Sequence, residues 1–337
     1  MENNPPFDPF YNLARLFRSD LDKGGPEERV HRVASVVAVL YTFPLVIGGL
    51  VWLVAATDWT IFIRQWPMLL LLAILIIVLN RLQFYFISDL GAGSYGNAIG
   101  SLEGVAKWSG ILLFGPPVIW IDFIITAIQL LADRPNWHSR DGRWDLAQNF
   151  CLSVAIIILL QMISLTVYHA LGGMVPIPGL ALHFLLPALA AITVQMMLEM
   201  FLQLSGSLGY PIWAMRSNLA PHFLRSLPKL LFMGQVIPFL ANLFAIPLAG
   251  ILAENGLFLY LVFILAVLLV GLMARQMSRA SEDSRTQSVQ LEKLAALGRA
   301  ILNAPPDATP CPGSWPNTSR PCSPMHAWAS GSTTNTS

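Results

Sequence analysis

The sequence predicts an all-α membrane protein, a polytopic bundle of transmembrane helices followed by a helix that continues outside the bilayer. Of its 337 residues, 55% are hydrophobic and 12% are charged, and the mean hydropathy is +0.60. So few charged side chains cannot cover a globular surface of this size, whereas a bilayer accommodates an apolar exterior. Apolar segments of roughly twenty residues, each long enough to cross the hydrocarbon core as a helix, recur along the chain.

The predicted boundaries divide the chain into four parts. We assign residues 1–32 to a cytoplasmic arm, 33–273 to a transmembrane domain, 274–303 to a coiled-coil helix and 304–337 to a disordered tail. In the arm, a typical helix start at Asp8 and Pro9 precedes an amphipathic pattern. Its apolar residues are Phe10, Leu13, Phe17 and Leu21, and its basic residues are Arg15 and Arg18. Such a helix is expected to lie along the membrane surface.

Six apolar runs are predicted to cross the bilayer. They are residues 33–56, 67–87, 146–170, 180–204, 230–252 and 257–273. A further run, 105–131, contains Gly115, Pro116 and Pro117 near its middle. Because proline lacks the N–H that an α-helix needs, we expect this run to form two half-helices.

The distribution of basic residues predicts the sidedness of the loops. Lys and Arg cluster in the arm, after the broken run, near residues 205–229 and after residue 273, whereas the loop 171–179 has no charge. The basic segments are expected in the cytoplasm, together with both termini. This requires the run 105–131 to enter the membrane and return as a re-entrant hairpin, covered by protein or lining a cavity. The sequence therefore predicts a multi-pass protein of the inner (plasma) membrane.

Polar side chains inside the apolar runs indicate an internal site. An ionisable group at membrane depth costs about 2.5 to 3.5 kcal/mol on insertion scales, so such groups are expected to face the bundle interior with partners. The acidic ones are Asp122 and Glu199, and amides at comparable depth include Gln161 and Gln195. We take these four as candidates for a ligand or proton site. The alternative is that they only form hydrogen bonds between helices.

The chain contains no recognisable catalytic motif. Its six histidines show no metal-ligand spacing, its paired glycines lack the phosphate-loop and dinucleotide fingerprints, and no kinase signature or nucleophile elbow occurs. We therefore predict no enzymatic activity, no cofactor and no metal site. A net charge of about +1, with no basic patch, does not indicate nucleic-acid binding.

The last apolar run continues into a polar helix without a loop or a proline. Leu291, Leu294 and Ile301 occupy core positions of a heptad repeat, whereas earlier core positions include Ser284 and Gln287. This pattern predicts a coiled-coil seam that is apolar mainly in its second half, and a homodimer formed through it. The alternative is a solvated helix that simply ends the last span.

Residues 291–307, with the sequence LEKLAALGRAILNAPPD, resemble the entry helix of a GAF domain in bacterial signalling proteins. Three upstream segments are similar to the multi-span sensor regions of bacterial GAF-containing histidine kinases and diguanylate cyclases. These are LFGP at 113–116, WDLAQNF at 144–150 and YHALGG at 168–173. The resemblance implies a membrane sensor truncated at the start of its GAF domain.

The tail after residue 303 is rich in Pro, Ser and Thr and has no periodic apolar pattern, as in disordered segments. From about Cys311 onward we expect a frameshifted remnant. Read one base earlier, the codons permit an apolar helix and an alternating strand that resemble the opening of a GAF domain. The alternative is a native disordered tail, and the coding DNA distinguishes the two.

The function expected from these patterns is that of a membrane-embedded sensor and transducer. It would contact membrane lipid, respond to a small-molecule stimulus and pass the change through its last helix to a cytoplasmic GAF or output region. The alternative is a small-solute transporter or substrate-capture subunit, because a re-entrant segment with buried acids also suits solute handling.

Overall fold

A computed structural model describes residues 9–18, 20–21, 25–82, 84–91, 94–132, 140–211, 235–236 and 238–302. This part of the chain is predominantly helical, and five of its helices are long and apolar enough to cross a membrane. They are Glu28–Ala56, Gly142–Ala170, Leu182–Gly206, Pro238–Asn255 and Leu257–Glu282. They correspond to five of the six predicted spans. The predicted tail, 304–337, lies outside the described residues.

The described elements are numbered in chain order. They are α1 (Pro9–Phe17), α2 (Pro26–Ala56), α3 (Trp59–Arg64), α4 (Trp66–Arg81), β1 (Phe84–Gly91), β2 (Ser94–Gly100), α5 (Glu103–Phe114), α6 (Pro116–Ala132), α7 (Arg140–Ala155), π1 (Ile156–Leu160), α8 (Gln161–Ala170), α9 (Leu182–Gln203), π2 (Leu204–Gly209), α10 (Ala245–Asn255) and α11 (Leu257–Leu302). The π-helical segment π1 joins α7 to α8, and π2 continues α9. α2 packs against α7, and α8 packs against α9.

The second predicted span, 67–87, is wrong in its second part. α4 ends at Arg81 after 16 residues, fewer than the roughly twenty that cross the hydrocarbon core. β1 then pairs with β2 in an antiparallel hairpin that places Phe84 opposite Gly100. The aromatic and β-branched residues that extended the apolar run also favour strands, and Asn80 and Arg81 end the helix before them. The described chain is thus predominantly helical, as predicted, with one β-hairpin between α4 and α5.

The predicted break in the run 105–131 is confirmed. α5 ends at Phe114, Gly115 adopts a φ of 67°, and α6 begins at Pro116. In a continuous helix the Leu112 carbonyl would accept a hydrogen bond from residue 116, but proline has no N–H to donate. The backbone N–H of Ile177 donates to that carbonyl instead, at 2.9 Å. The loop between α8 and α9 therefore satisfies the acceptor that the break exposes.

α5 and α6 fold back on each other as an antiparallel helical hairpin. Close to the turn, Gly110 of α5 packs against Val118 of α6, and farther from it Lys107 pairs with Asp122. α5 lies in the centre of the bundle, because it packs against α4, α6 and α10 and eight of its 12 residues are buried. The surrounding helices thus cover this short helix. A segment that enters a bilayer without crossing it needs such a cover.

Three segments that were predicted to face outward meet near the turn of this hairpin. The Trp120 indole N–H of α6 donates to the Thr57 hydroxyl after α2, at 3.0 Å. Leu180, in the same loop as Ile177, donates its N–H to the Glu254 carboxylate at the end of α10, at 2.8 Å. The segments after α2, α8 and α10 therefore lie at one end of the bundle, in agreement with a common side for these loops.

The N-terminal helix is confirmed at Pro9–Phe17, but its predicted basic face is partly wrong. Arg18 is buried and forms an ion pair with Asp20, with 2.9 Å between Nε and Oδ1. Leu21 packs with Ala14 and Val33 in a small core beside α2. The helix ends at Phe17, and the chain turns inward at Arg18. The helical spacing that would place Arg18 opposite the apolar residues therefore does not apply at that position.

The last helix, α11, runs without interruption from Leu257 to Leu302. At about 1.5 Å per residue its 46 residues extend about 69 Å, more than twice the hydrocarbon thickness. Its part up to Ser278 belongs to the larger compact unit of the chain, and the part from Arg279 belongs to a second unit. In the second unit the seam residues Leu291 and Leu294 are 65% and 63% exposed in the single chain. The Ile301 side chain lies outside the described part.

The predicted topology has a direct test in intact cells. In a chain whose native cysteines are replaced, a cysteine at Met174 is expected to react with a membrane-impermeant maleimide from outside. A cysteine at Ser288 is expected to react only after the cells are opened, because the basic residues around the last span favour a cytoplasmic position. Labelling of position 288 from outside, or of position 174 only after lysis, would show that the predicted topology is inverted.

Candidate functional site

A buried ion-pair network begins on the central helix α5. The Lys107 ammonium lies 2.8 Å from Asp122 Oδ1 on α6 and 3.0 Å from Glu103 Oε1, one turn earlier on α5. Asp122 is 1% exposed, and the Lys107 side chain is 13% exposed. Removing charges from water costs several kcal/mol per ion, and only close pairing with further hydrogen bonds offsets that cost. Lys107 therefore holds the two half-helices together at this depth.

The network extends from Asp122 to α8 through Gln161. The Gln161 amide donates a hydrogen bond from Nε2 to Asp122 Oδ2 at 3.1 Å, so both carboxylate oxygens of Asp122 have a close partner. Gln161 follows directly after π1, and Gly49 of α2 packs against Ile158 within that π-helical segment. A π-helical turn inserts a residue and changes the face that the next residues occupy, and such turns occur frequently at functional sites.

A second chain of polar contacts lies on α9. Gln203 Nε2 donates to Glu199 Oε1 at 3.1 Å, and Gln235 Nε2 donates to Gln203 Oε1 at 3.0 Å. Gln195, one turn before Glu199, lies close to the Glu199 carboxyl. The spacing of four residues between positions 195, 199 and 203 places these side chains on one helix face. The Gln203 amide thus directs an N–H group toward the carboxylate of Glu199.

The two chains of contacts form one polar cluster. The Glu199 carboxyl lies close enough to Lys107 and Glu103 for electrostatic interaction with both. Asn242, before α10, packs against Gly104 so closely that a Cβ at that glycine would overlap its side-chain oxygen. In the described part of the chain, the cluster contains three carboxyl groups, Glu103, Asp122 and Glu199, and one ammonium group, Lys107.

The cluster also has an excess of hydrogen-bond acceptors. Among the described residues, its buried oxygens Glu103 Oε2, Gln161 Oε1 and Gln195 Oε1 have no hydrogen-bond partner within the protein. A buried polar atom without a partner costs about 1–3 kcal/mol. This arrangement can accept a proton, a cation or a ligand that donates hydrogen bonds.

All four predicted site residues lie in this cluster: Asp122 contacts Gln161, and Gln195 contacts Glu199. The sequence analysis missed Glu103 and Lys107. Lys107 and Asp122 are the only charged residues of the run 105–131, and they stand eight residues before and seven residues after Gly115. When a hairpin turns at Gly115, these opposite charges face each other, so the predicted break already contained the signal for this pair.

The polar cluster contacts the last helix through α5. Tyr260 of α11 is fully buried, and its hydroxyl lies close to Ser109 of α5 without forming a hydrogen bond among the described residues. Farther along, the Leu102 side chain, next to Glu103, packs on Gly271 of α11, where a Cβ would lie 3.1 Å from Leu102 Cδ1. These contacts lie within the larger compact unit and join the helix that carries Lys107 to the membrane part of α11.

Comparison with known proteins identifies no relative: no family model, curated protein or solved structure matches the chain. Within the described ranges, no group of three or more His, Cys, Asp or Glu side chains is positioned to hold a metal ion.

Proposed function

We propose that the chain is a membrane-embedded sensory transducer, in which a change at the polar cluster passes through α11 to a cytoplasmic output region. The supporting observation is that α11 lies against α5 and the residue before it: Gly271 packs on Leu102, and Tyr260 lies close to Ser109. The same short helix carries Glu103 and Lys107. A change in the charge pairing of Lys107 would therefore move a helix that touches α11 directly.

The cluster is suited to hold two alternative states of similar free energy. Lys107 lies near three carboxyl groups, and a new charge or ligand at one of them changes the pairing of the others. Interactions within a buried polar network are strong and interdependent, because the surrounding dielectric constant is low. Sensing requires such an element, whose equilibrium a stimulus shifts by binding one state better than the other.

The proposed output path is a dimer through the second half of α11. Leu291 and Leu294 are exposed in the single chain, although they occupy core positions of the heptad pattern. Association of two copies would bury these side chains. A cytoplasmic GAF or other output region beyond the helix, and an inner-membrane location with both termini inside, complete the proposal.

Disulfide crosslinking tests the dimer. In the full chain without native cysteines, single cysteines at positions 291 and 294 are expected to crosslink between protomers faster than one at position 293. Lys293 occupies an outward position of the heptad and provides the matched control. Equal rates at the three positions would show that no oriented seam exists.

The same assay tests the relay. Glu199→Gln in the cluster is expected to change the ratio of crosslinking rates at positions 291 and 294 by about 2.3-fold or more, which corresponds to a coupling of at least about 0.5 kcal/mol. Glu254→Gln changes a carboxylate that binds the Leu180 backbone at the other end of the bundle, and serves as the control. Identical ratios in the parent and Glu199→Gln would contradict transduction through α11.

A second candidate function is solute transport, which the broken helix at Gly115 favours. Discontinuous helices with buried charges form the ion and substrate sites of many transporters. Uptake of a solute by proteoliposomes that contain the full chain, with a crosslinking pattern unaffected by Glu199→Gln, would support this function over the sensor.

A further inference from the structure

We propose that α4 and α6 form a lipid-facing wall that selects lipids with short acyl chains, and that bilayer thickness is thereby a stimulus for this chain. The stimulus rests on the proposed sensory function, whereas the lipid selection does not. The two helices pack against each other, and both are apolar but shorter than the five helices that can cross a membrane.

The wall consists of six branched aliphatic side chains on the outer faces of the two helices. Each of them is at least 43% exposed, although the opposite face of both helices is buried. Within each helix they are spaced by four and then three residues, which places them on one face. They are Leu70, Ile74 and Ile77 of α4 and Ile124, Ile128 and Leu131 of α6.

The wall is shorter than a typical bilayer is thick. α4 has 16 residues and α6 has 17, so at 1.5 Å per residue they extend about 24 Å and about 26 Å. The hydrocarbon core of a typical bilayer is about 30 Å thick. A bilayer beside a short apolar surface must become thinner, at a cost for each Å of mismatch. Lipids with shorter chains remove that cost.

Polar and amphipathic side chains mark the two ends of the wall. At one end Asn80 Nδ2 of α4 donates a hydrogen bond to Gln129 Oε1 of α6 at 3.1 Å, and the exposed Arg81 follows. At the other end Trp66, the first residue of α4, is 62% exposed. Arginine places its charge among the headgroups, and tryptophan favours the boundary between membrane and water. The apolar surface therefore ends at these residues.

The wall is connected to the polar cluster through α6. The ring centroids of Trp59, on the short helix α3, and Trp120 of α6 lie 5.9 Å apart, so α6 itself belongs to the aromatic group at this end. Asp122, two residues after Trp120, pairs with Lys107 of α5. A change of bilayer thickness that tilts or shifts α6 would therefore act on this ion pair.

Lipid fits the wall better than a second copy of the chain does. Interfaces between membrane helices are enriched in small residues, which allow the backbones to approach each other. No glycine, alanine or serine occurs at the exposed positions of α4, all of which the structure describes. Acyl chains adapt to such a surface of large side chains, so they are the proposed occupant.

Fluorescence quenching by brominated lipids tests the selection. In the full chain without native cysteines, a single cysteine at Ile128 carries a bimane label. A single labelled cysteine at Leu265, 57% exposed on a full-length span, is the matched control. The proteoliposomes mix phosphatidylcholines with 14-carbon and 22-carbon chains, and each lipid is brominated in turn. Relative to the control, the label at position 128 is expected to favour the 14-carbon lipid by about threefold or more, because a mismatch of several Å is costly.

Lengthening the wall should weaken this preference. Asn80→Leu with Gln129→Leu removes the polar pair and extends the apolar surface, so the preference at position 128 is expected to fall by about twofold or more. Thr193→Leu replaces an exposed hydroxyl on the full-length span of α9, and should leave the preference unchanged.

Equal lipid preferences at positions 128 and 265 would overturn the selection. Absence of quenching at position 128 by either lipid would also overturn it, since a protein such as a second copy would then cover the wall.

The stimulus is tested by the crosslinking ratio at positions 291 and 294, measured in vesicles of each lipid alone. The ratio is expected to differ by about twofold or more between the two lipids. An unchanged ratio, with an intact response to Glu199→Gln in the same vesicles, refutes bilayer thickness as the stimulus. Loss of the response to Glu199→Gln refutes the transducer, while the quenching result still decides the lipid selection.

Discussion

Lys107→Met is expected to lower the free energy of unfolding of the membrane domain by about 3–5 kcal/mol, because it leaves Asp122 buried without its cation. The substitution keeps a long apolar side chain of similar length, so the lost charge and not a cavity dominates the effect. Asp122 is 1% exposed and lies 2.8 Å from the ammonium group that is removed. Equilibrium unfolding in mixed micelles, titrated with a denaturing detergent, measures the change.

Lys293→Met is the matched control for this experiment, since Lys293 is exposed on α11 outside the membrane domain. Surface substitutions of this kind usually change stability by less than about 0.5 kcal/mol. The double variant Lys107→Met with Asp122→Asn should recover part of the loss, because the unpaired charge is then absent. A single Lys107→Met variant as stable as the control would show that the ion pair does not hold the hairpin.

Gly115→Ala is expected to destabilise the chain by about 1–3 kcal/mol, since Gly115 combines a φ of 67° with a ψ of −139°, a region that only glycine occupies readily. The same residue joins α5 to α6, so a change of its backbone also disturbs the pairing of Lys107 with Asp122. The unfolding titration used for Lys107→Met measures the effect.

Gly48→Ala is the control for this second substitution. Gly48 lies within α2, and a Cβ there would meet no atom within 4 Å. Alanine in a helix interior is favoured over glycine by up to about 1 kcal/mol, so this variant should be as stable as the parent or more stable. If Gly115→Ala is as stable as Gly48→Ala, a side chain at position 115 does not strain the backbone. The break between α5 and α6 then accepts residues other than glycine.

Hydrophobic length and proline position allowed much of the fold to be predicted. Runs of about twenty apolar residues identified five helices that can cross a membrane, and Pro116 with Pro117 identified the break between α5 and α6. The second span failed because hydropathy does not distinguish the end of a helix from the strand that follows it. Aromatic residues from Phe84 onward fit an apolar transmembrane run and a β-strand equally well.

The candidate site was only partly predictable, for a related reason. The spacing of Gln195, Glu199 and Gln203 is visible within one helix, and Asp122 is conspicuous in its apolar run. The partner of Asp122 lies on the preceding half-helix, and the pairing exists only because the chain reverses at Gly115. Arg18 was misplaced by the same limit, since its burial depends on Asp20 and on the turn after α1.

The sequence alone determined that the chain contains helices long and apolar enough to cross a membrane, where the central run is broken, and that polar groups lie within the apolar runs. Each of these depends on residues adjacent in the chain, whose apolar length, missing N–H groups and helical spacing are local properties. Only the tertiary structure decided that Lys107 lies between Glu103 and Asp122, that Glu199 joins them, and that α5 contacts α11 at Tyr260 and Gly271. Those contacts bring together helices that are far apart in the sequence. Burying an unpaired charge is costly, so packings in which opposite charges meet are favoured.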